Sequence, residues 1–512
     1  MVIPLTIKRL IHIAVFSGTI LYMCPAQEID WAKVHDVTMR GIDHLYHLEI
    51  ERAQRAFDSV SQMAPNDPRG PFFGSILHIF LYGLNRSEQE YNEFFNHSDQ
   101  VIEICERLLD QNEDDAKAKF YLGGIYGYRG LAYQMSNSIL KAVKDGRKGY
   151  MYLEDAVRTD PTLYDAQMGF GLFRYLVAKV PKGYRWILNF LGFSGDLEGG
   201  LASLRIAAEK GIYTRTEARL YLYQFLLAEH RTEEAVKYMK ELLQGYPDNT
   251  LFAVLYSSWL MRSNNFDEAL IWAKKGEEIN SQKKLKYGEE FIYSTLGGIY
   301  FVKGEFSKAR ENYDMFVQKV QNKDYISNYI AYRYALSCEL TGDRAKAVEI
   351  CNRMKAVNDK NRAWDRYNYR RGQELAATPL SEPDVLMLKG ANAFSMKRYD
   401  EALKFYTDVE HNTAADVDRH AQALYGMQQI YYEQGKDTEI IGLSPRLLAL
   451  QPMRERWLIP HAYFKLGQAY ARQGRKAEAR AAFEAIKNFD EYDFQESLEN
   501  RVDEELKKLD EN

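Results

Sequence analysis

The chain has 512 residues, of which 27% are charged, and its formal net charge is −5. Acidic and basic residues are mixed without a long run of one sign, which argues against nucleic acid as the main partner and against an acidic tail. Aromatic residues make up 13% and include 37 tyrosines, and such rings supply both packing between helices and adhesive surface.

Residues 1–26 have the three-part pattern of a secretory signal. Lys8 and Arg9 precede an apolar run, and Cys24 and Ala26 stand just before the first polar residues. We expect cleavage after Ala26 and export to the periplasm or cell envelope. Two alternatives stay open: an uncleaved signal anchor, for which the apolar run is short, and a lipoprotein, for which the residue before Cys24 is larger than usual.

One helix–turn–helix pattern recurs along the rest of the chain. Gly297–Ala309 and Gly467–Ala479 are two copies, with a small residue, an aromatic, a turn glycine and an alanine in matching places. Small residues let two helices approach closely, and the aromatic fills the wedge beside them. The pattern resembles the tetratricopeptide repeat. That resemblance implies an all-α, right-handed superhelical solenoid of helical hairpins, whose continuous core can reach this length.

Further copies of the pattern indicate about ten or eleven hairpins, irregularly spaced. Thr378-Pro379 and Glu382-Pro383 indicate one interruption. The expected order is the signal peptide 1–26, an N-terminal solenoid with insertions 27–357, an interruption or linker 358–383, C-terminal hairpins 384–492, and a capping helix and tail 493–512.

Between residues 171 and 201, an apolar stretch with a proline runs into Gly-Phe-Ser-Gly-Asp and then Gly-Leu. This stretch resembles the tetratricopeptide-repeat-39 family of eukaryotes. The resemblance implies an all-helical, non-enzymatic protein, with some members tied to membranes or lipid handling. The secretory signal departs from that intracellular family, so its cellular role is not transferred. The matching residues are Pro181, Gly192, Phe193, Ser194, Gly195, Asp196, Gly200 and Leu201.

By analogy with tetratricopeptide superhelices, one face of each first helix lines a concave groove. Aromatic rings with scattered arginines there suit an extended peptide or an amphipathic helix, because rigid rings offer large contact area at small entropic cost. The alternative is that a tight superhelix buries these rings against one another. The lysine and asparagine of a peptide-carboxylate clamp are missing. The expected partner-binding groove consists of Arg262, Phe301, Tyr329, Tyr332, Phe394, Tyr425, Tyr432, Phe464 and Arg472.

Two further segments are candidates for ligand contact. Arg362, Arg366 and Arg370 share a face if the segment is helical, and they would bind an anionic ligand or an acidic helix. The alternative is a solvated face with arginine stems lying on rings. Residues 179–193 are basic in front and apolar behind. Lys182, Arg185 and Trp186 would contact a membrane interface there, unless the segment is a helix packed inside the solenoid.

Cys338 and Cys351 face each other across one hairpin, so a disulfide is geometrically plausible in an exported protein; the alternative is two small core residues. His44, His47 and Glu51 share a helical face, but capping or packing is favoured over metal binding. We expect no metal and no cofactor.

The sequence has none of the common hydrolase, metalloprotease, phosphate-loop or dinucleotide motifs. We therefore expect a non-enzymatic scaffold or adaptor of the cell envelope that binds a protein or peptide in the aromatic groove. One alternative is a lipid-handling or envelope-assembly factor with peripheral membrane contact. The other is an enzyme without a recognisable motif.

Overall fold

The computed structural model describes residues 29–180, 193, 195–285, 288–320, 323, 326–357, 362–413 and 415–511. Within these residues the chain forms twenty-four α-helices and no β-strand, so the predicted all-α solenoid is confirmed. The predicted signal peptide and Lys182, Arg185 and Trp186 lie outside the described residues. In the described part of the chain, no helix is both long enough and apolar enough to cross a bilayer.

Most of the described helices follow one another after connections of two to nine residues. The first twelve are α1 Trp31–Tyr46, α2 Ile50–Met63, α3 Arg69–Asn85, α4 Glu88–Gln111, α5 Ala116–Met135, α6 Ile139–Thr159, α7 Ala166–Ala178, α8 Leu197–Lys210, α9 Arg215–Ala228, α10 Thr232–Gly245, α11 Thr250–Arg262 and α12 Phe266–Lys283. The second twelve are α13 Glu289–Val302, α14 Phe306–Lys319, α15 Asn328–Leu340, α16 Arg344–Arg353, α17 Ala363–Ala377, α18 Glu382–Ser395, α19 Tyr399–Asn412, α20 Val417–Glu433, α21 Asp437–Leu448, α22 Leu458–Arg472, α23 Lys476–Ala485 and α24 Gln495–Glu511.

A glycine and an aromatic ring make the close contact inside several hairpins. A Cβ placed on Gly297 would lie 2.7 Å from the ring of Tyr313, and one on Gly467 would lie 2.5 Å from that of Phe483. Real Cβ atoms do not approach so closely, so any larger residue would push the paired helices apart. Between the paired helices, Gly304 has a φ of +77°, which a glycine adopts without strain. This geometry is the one that the repeat pattern predicted.

The first hairpin also packs against helices far along the chain. The amide of Asn249 donates to the carbonyl of Tyr46 at 2.7 Å, and His47 Nδ1 lies 2.6 Å from Asp248 Oδ1. Lys283 binds both Asp248 and the His47 carbonyl. Burial alone would raise the pKa of Asp248, but the hydrogen bonds from Lys283 and His47 outweigh it and lower that pKa. We call this contact, which joins residues more than 200 positions apart, the N-terminal seam.

A half-buried acid on α9 is bound by two tyrosines. The hydroxyl of Tyr128 donates to Glu217 at 2.6 Å, and Tyr221 also hydrogen-bonds that carboxyl. Burial raises the pKa of Glu217 to about 6, although both hydrogen bonds act in the opposite direction. The N-terminal solenoid therefore contains a carboxyl that gains a proton near pH 6.

The stretch predicted as an interruption contains α17. This helix packs on α15 and α16, where a Cβ on Gly372 would meet the Met354 sulfur at 2.5 Å. One continuous hydrophobic core reaches as far as Leu375, and the next begins at Ala393. The change of core thus falls between Leu375 and Ala393, and α17 itself packs on the helices that precede it.

Candidate functional site

A cleft of about 1290 Å³ lies beside α17 near the C-terminal end of the solenoid. One wall is α17, a second is the connection between α21 and α22, and a third is the start of α24 with the segment that leads into it. We call it the Arg366 cleft. Its charged and apolar lining includes Arg366, Arg370, Glu374, Met453, Arg454, Arg456, Glu491, Tyr492, Asp493, Phe494, Glu496 and Glu499.

The bounds of α17 follow from its sequence. Asp365 lies in the first turn, where a carboxylate suits the positive end of the helix, and it binds Arg362 at 2.7 Å. At the other end, Pro379 disfavours helical geometry for Thr378, and the helix ends at Ala377. Residues four positions apart share one face of a helix, so α17 places Arg366 and Arg370 on the same face, as their spacing predicted.

Glu455 ties this wall to the C-terminal hairpins. Its side chain is only 1% exposed and lies 3.1 Å from Arg370 and 2.9 Å from Arg371, and it accepts a hydrogen bond from Trp457 at 2.6 Å. Asp418 in turn accepts the backbone N–H of Glu455 at 3.0 Å. A buried carboxylate between two guanidinium groups fixes the relative position of both elements.

The three arginines of the predicted strip have different partners. Arg362 binds Asp365, and Arg370 binds Glu455 and, at 2.9 Å, Asp493. Burial alone would lower the pKa of Arg370, but Glu455 and Asp493 outweigh it and raise that pKa, so the side chain stays charged. Arg366 makes no ion pair within the part of the chain that the structure describes, and its buried Nε has no hydrogen-bond partner. Of the three, Arg366 is the one that is open to a ligand.

Two large apolar side chains are exposed beside the cleft. Met453, in the lining, is 79% exposed, and Trp364, in the first turn of α17, is 63% exposed. The Trp364 ring contacts that of Phe494, with centroids 4.7 Å apart. Exposed Trp and Met beside an arginine are the residue types enriched where protein partners bind.

The predicted aromatic groove does not form one exposed surface. Phe301, Tyr425 and Phe464 are buried, because each ring packs on other aromatic rings, as Tyr425 does on Trp457 at 5.3 Å. The alternative of rings packed against one another therefore describes these three positions. The remaining six are at least partly accessible: Arg262, Tyr329 and Arg472 are exposed, and Tyr332, Phe394 and Tyr432 are half-buried.

The cysteine and histidine candidates are core and seam residues. Cys338 and Cys351 are free, buried thiols, so of the two alternatives the structure has the pair of small core residues and not the disulfide. Burial raises their pKa values to about 12 and about 11 respectively. His44 pairs with Glu49 at 2.6 Å, and His47 belongs to the N-terminal seam. No cluster of possible metal ligands occurs among the described residues.

Several residues of the cleft carried no recognisable signal in the sequence. Glu455 and Asp493 lie 85 and 123 positions from Arg370, and no local pattern pairs residues at such distances. The arginine strip itself was visible because helical periodicity is local.

Comparison with known proteins identifies a family for this chain. Residues 132–394, just over half of the 512, match the family described as Iml2/Tetratricopeptide repeat protein 39. Residues 448–495 match a tetratricopeptide repeat. The first match includes the 171–201 stretch and α17, and the second includes α22 and α23.

Solved helical proteins are similar over most of the chain, at low identity. The human IFIT1 dimer with m7Gppp-AAAA has 15% identity and a TM-score of 0.38, with 90% of this chain and 95% of that one covered. Yeast Tom70 has 11% identity and a TM-score of 0.30, with 90% and 99% covered. At these values nothing about ligands or partners follows for this protein.

Proposed function

Since the chain belongs to the Iml2/Tetratricopeptide repeat protein 39 family, we propose that it is a non-enzymatic interaction scaffold that takes a segment of a partner protein into the Arg366 cleft. One observation carries this proposal: an unpaired arginine lies in a large open cleft, with exposed Met453 and Trp364 beside it. Tetratricopeptide solenoids offer such surfaces to protein partners.

The charge of the lining indicates which segment fits. Four arginines face five carboxylates in the lining, so a polyanion meets repulsion as well as attraction. Three of those arginines already have acceptors within the protein, namely Arg370, Arg454 and Arg456. A single carboxylate of the partner would pair with Arg366, and apolar residues beside it would cover Met453 and Trp364. The preferred ligand is therefore a short segment with one acidic residue among apolar ones.

The cellular setting of this scaffold is part of the same proposal. The pattern of residues 1–26 supports export, with action in the cell envelope. Export is tested by fractionation of the native host. The access of protease to the chain is measured before and after the outer layer of the cell is opened. Export would be contradicted if the chain were recovered with ribosomes and cytoplasmic enzymes and were protected from protease until the cells were lysed.

The binding step is tested by partner capture in the native host. Tagged wild type, Arg366→Glu and Arg353→Glu are crosslinked in cells, and the captured proteins are identified by mass spectrometry. Arg353 is an exposed arginine on α16 outside the cleft lining, so its replacement is a matched control. We expect one or more partners to be lost only from Arg366→Glu.

The same experiment separates the cleft from the predicted groove. A third variant, Tyr329→Ala, removes an exposed ring of that groove. Loss of the partner from this variant and not from Arg366→Glu would move the binding surface to the groove. Recovery of the chain in floated membranes, with no protein partner, would favour the lipid-handling alternative instead.

A further inference from the structure

Three cations lie over two aromatic rings near the C-terminus. On α22, Lys465 Nζ lies 3.2 Å from the centre of the Tyr432 ring, and the Arg472 guanidinium lies 4.4 Å from the same centre. On α24, the Arg501 guanidinium lies 4.3 Å from the centre of the Phe464 ring. Arg472 on α22 and Arg501 on α24 are both close enough for their positive charges to act on Lys465.

One of these cations has a counterion and two do not. Arg472 is bound by Asp437 through hydrogen bonds of 2.9 and 3.2 Å. Lys465 and Arg501 form no hydrogen bond and no ion pair with any described residue. Glu433 is the acidic group that acts on Lys465, but it does not come within ion-pair distance. The ring contact offsets only part of the solvation that the half-buried Lys465 loses, whereas Arg501 is exposed to solvent.

The surroundings oppose the positive charge of Lys465. Burial lowers its pKa to about 8, and the like charges of Arg501 and Arg472 act in the same direction. A half-buried ammonium without a counterion, next to a second unpaired cation, destabilises the free protein. Local conflicts of this kind are expected where a ligand completes the arrangement.

We propose that Lys465 and Arg501 form a binding site for an anionic group, either a carboxylate or a phosphate. The ammonium and the guanidinium provide donors for its oxygens, and the rings of Tyr432 and Phe464 shield one side from water. The site is separate from the Arg366 cleft, whose lining contains neither cation. Because Arg501 belongs to α24 and Lys465 to α22, a bound anion would also fix the terminal helix on the last hairpin.

The test uses the full chain and two probes, succinate and inorganic phosphate. Binding is measured by calorimetry, and hydrogen exchange of the α24 amides is measured with and without each anion. The variants are Lys465→Met, which keeps an apolar stem over Tyr432, and Arg501→Gln. Lys507→Met is the control, because Lys507 is an exposed lysine on the same α24.

We expect an anion to bind with a dissociation constant on the order of 1 mM and to slow exchange in α24. Each site variant should weaken binding about tenfold, and the control should not. Binding of succinate should weaken several-fold from pH 7 to pH 9, because Lys465 loses its charge while both carboxylates stay ionised. Preference for succinate identifies a carboxylate site, and preference for phosphate identifies a phosphate site.

A second readout does not depend on the choice of probe. In a buffer of uncharged components, Lys465→Met should raise the thermal stability at pH 7, since it removes the repulsion with Arg501, whereas Lys507→Met should not. Failure of both anions to bind at about 20 mM, together with lower stability of Lys465→Met, would overturn the proposal. So would binding that both site variants leave unchanged.

Discussion

Glu455→Gln is the substitution that most directly probes the architecture of the Arg366 cleft. The carboxylate is 1% exposed, and its loss leaves the Arg370 and Arg371 guanidinium groups facing an uncharged amide. Removing one partner of a buried ion pair costs roughly 3–5 kcal/mol. Both arginines stay partly exposed and keep Glu374 as an acceptor, so we expect about 3 kcal/mol, at the lower end of that range.

Hydrogen exchange measures this loss where it occurs. The backbone N–H groups of Arg454 and Glu455 donate to Asp418 at 2.8 and 3.0 Å, so they exchange only when this connection opens. A loss of about 3 kcal/mol should speed their exchange about a hundredfold. The matched control is Glu374→Gln, which touches the same two arginines from a more exposed position and should cost less than about 1 kcal/mol. Equal acceleration in the two variants would refute the reasoning.

Three further predictions concern the rest of the solenoid. Because the pKa of Glu217 is raised to about 6, the stability that its proton provides is lost as the pH rises through 6. Glu217→Gln should therefore raise the free energy of unfolding by about 1–2 kcal/mol at pH 7.5 and change it little at pH 4.5. An equal gain at both pH values would contradict the assignment. Because the pKa of Asp248 is lowered, its contribution to the stability of the folded protein is present at neutral pH and is lost on acidification. Asp248→Asn should speed hydrogen exchange in α1 and α2 at pH 7, whereas Asp43→Asn, at an exposed carboxylate, should not. With pKa values of about 12 and about 11, Cys338 and Cys351 should resist alkylation at pH 8 until the protein unfolds, and rapid labelling of the native protein would show that they are accessible.

The hairpins were predictable because their determinants lie close together in the sequence. Gly467 and Phe483 are sixteen positions apart and touch across one turn, so a single repeat contains both halves of the contact. The turn residue Gly474 lies between them with a φ of +74°. Such patterns fix the fold class without any knowledge of distant residues.

The prolines near residue 380 were harder to interpret. Pro379 and Pro383 indicated an interruption, yet one follows the end of α17 and the other lies in the first turn of α18. Proline is tolerated at both positions, since neither removes an intrahelical hydrogen bond. The same residues therefore mark the boundary between two helices, and the sequence alone does not distinguish this from a longer loop.

The cleft itself depends on contacts that the sequence does not encode locally. Arg370 meets Asp493 only after six further α-helices, α18 to α23, have stacked between them. Burial of Phe301 and Phe464 likewise depends on how tightly neighbouring hairpins pack. Helical periodicity identified the arginine strip, but which arginine stays unpaired is decided by tertiary structure.

The central claim is that a partner protein enters the Arg366 cleft, and crosslinking from within the cleft tests it most directly. A photoreactive amino acid is placed at Met453, in the lining, and in a second protein at Ile271, an exposed apolar residue of α12 outside the cleft. After irradiation in the native host, we expect a discrete crosslinked partner from position 453, lost when Arg366→Glu is added, and none from position 271. The same products from both positions, or products from 453 that Arg366→Glu leaves unchanged, would contradict the account.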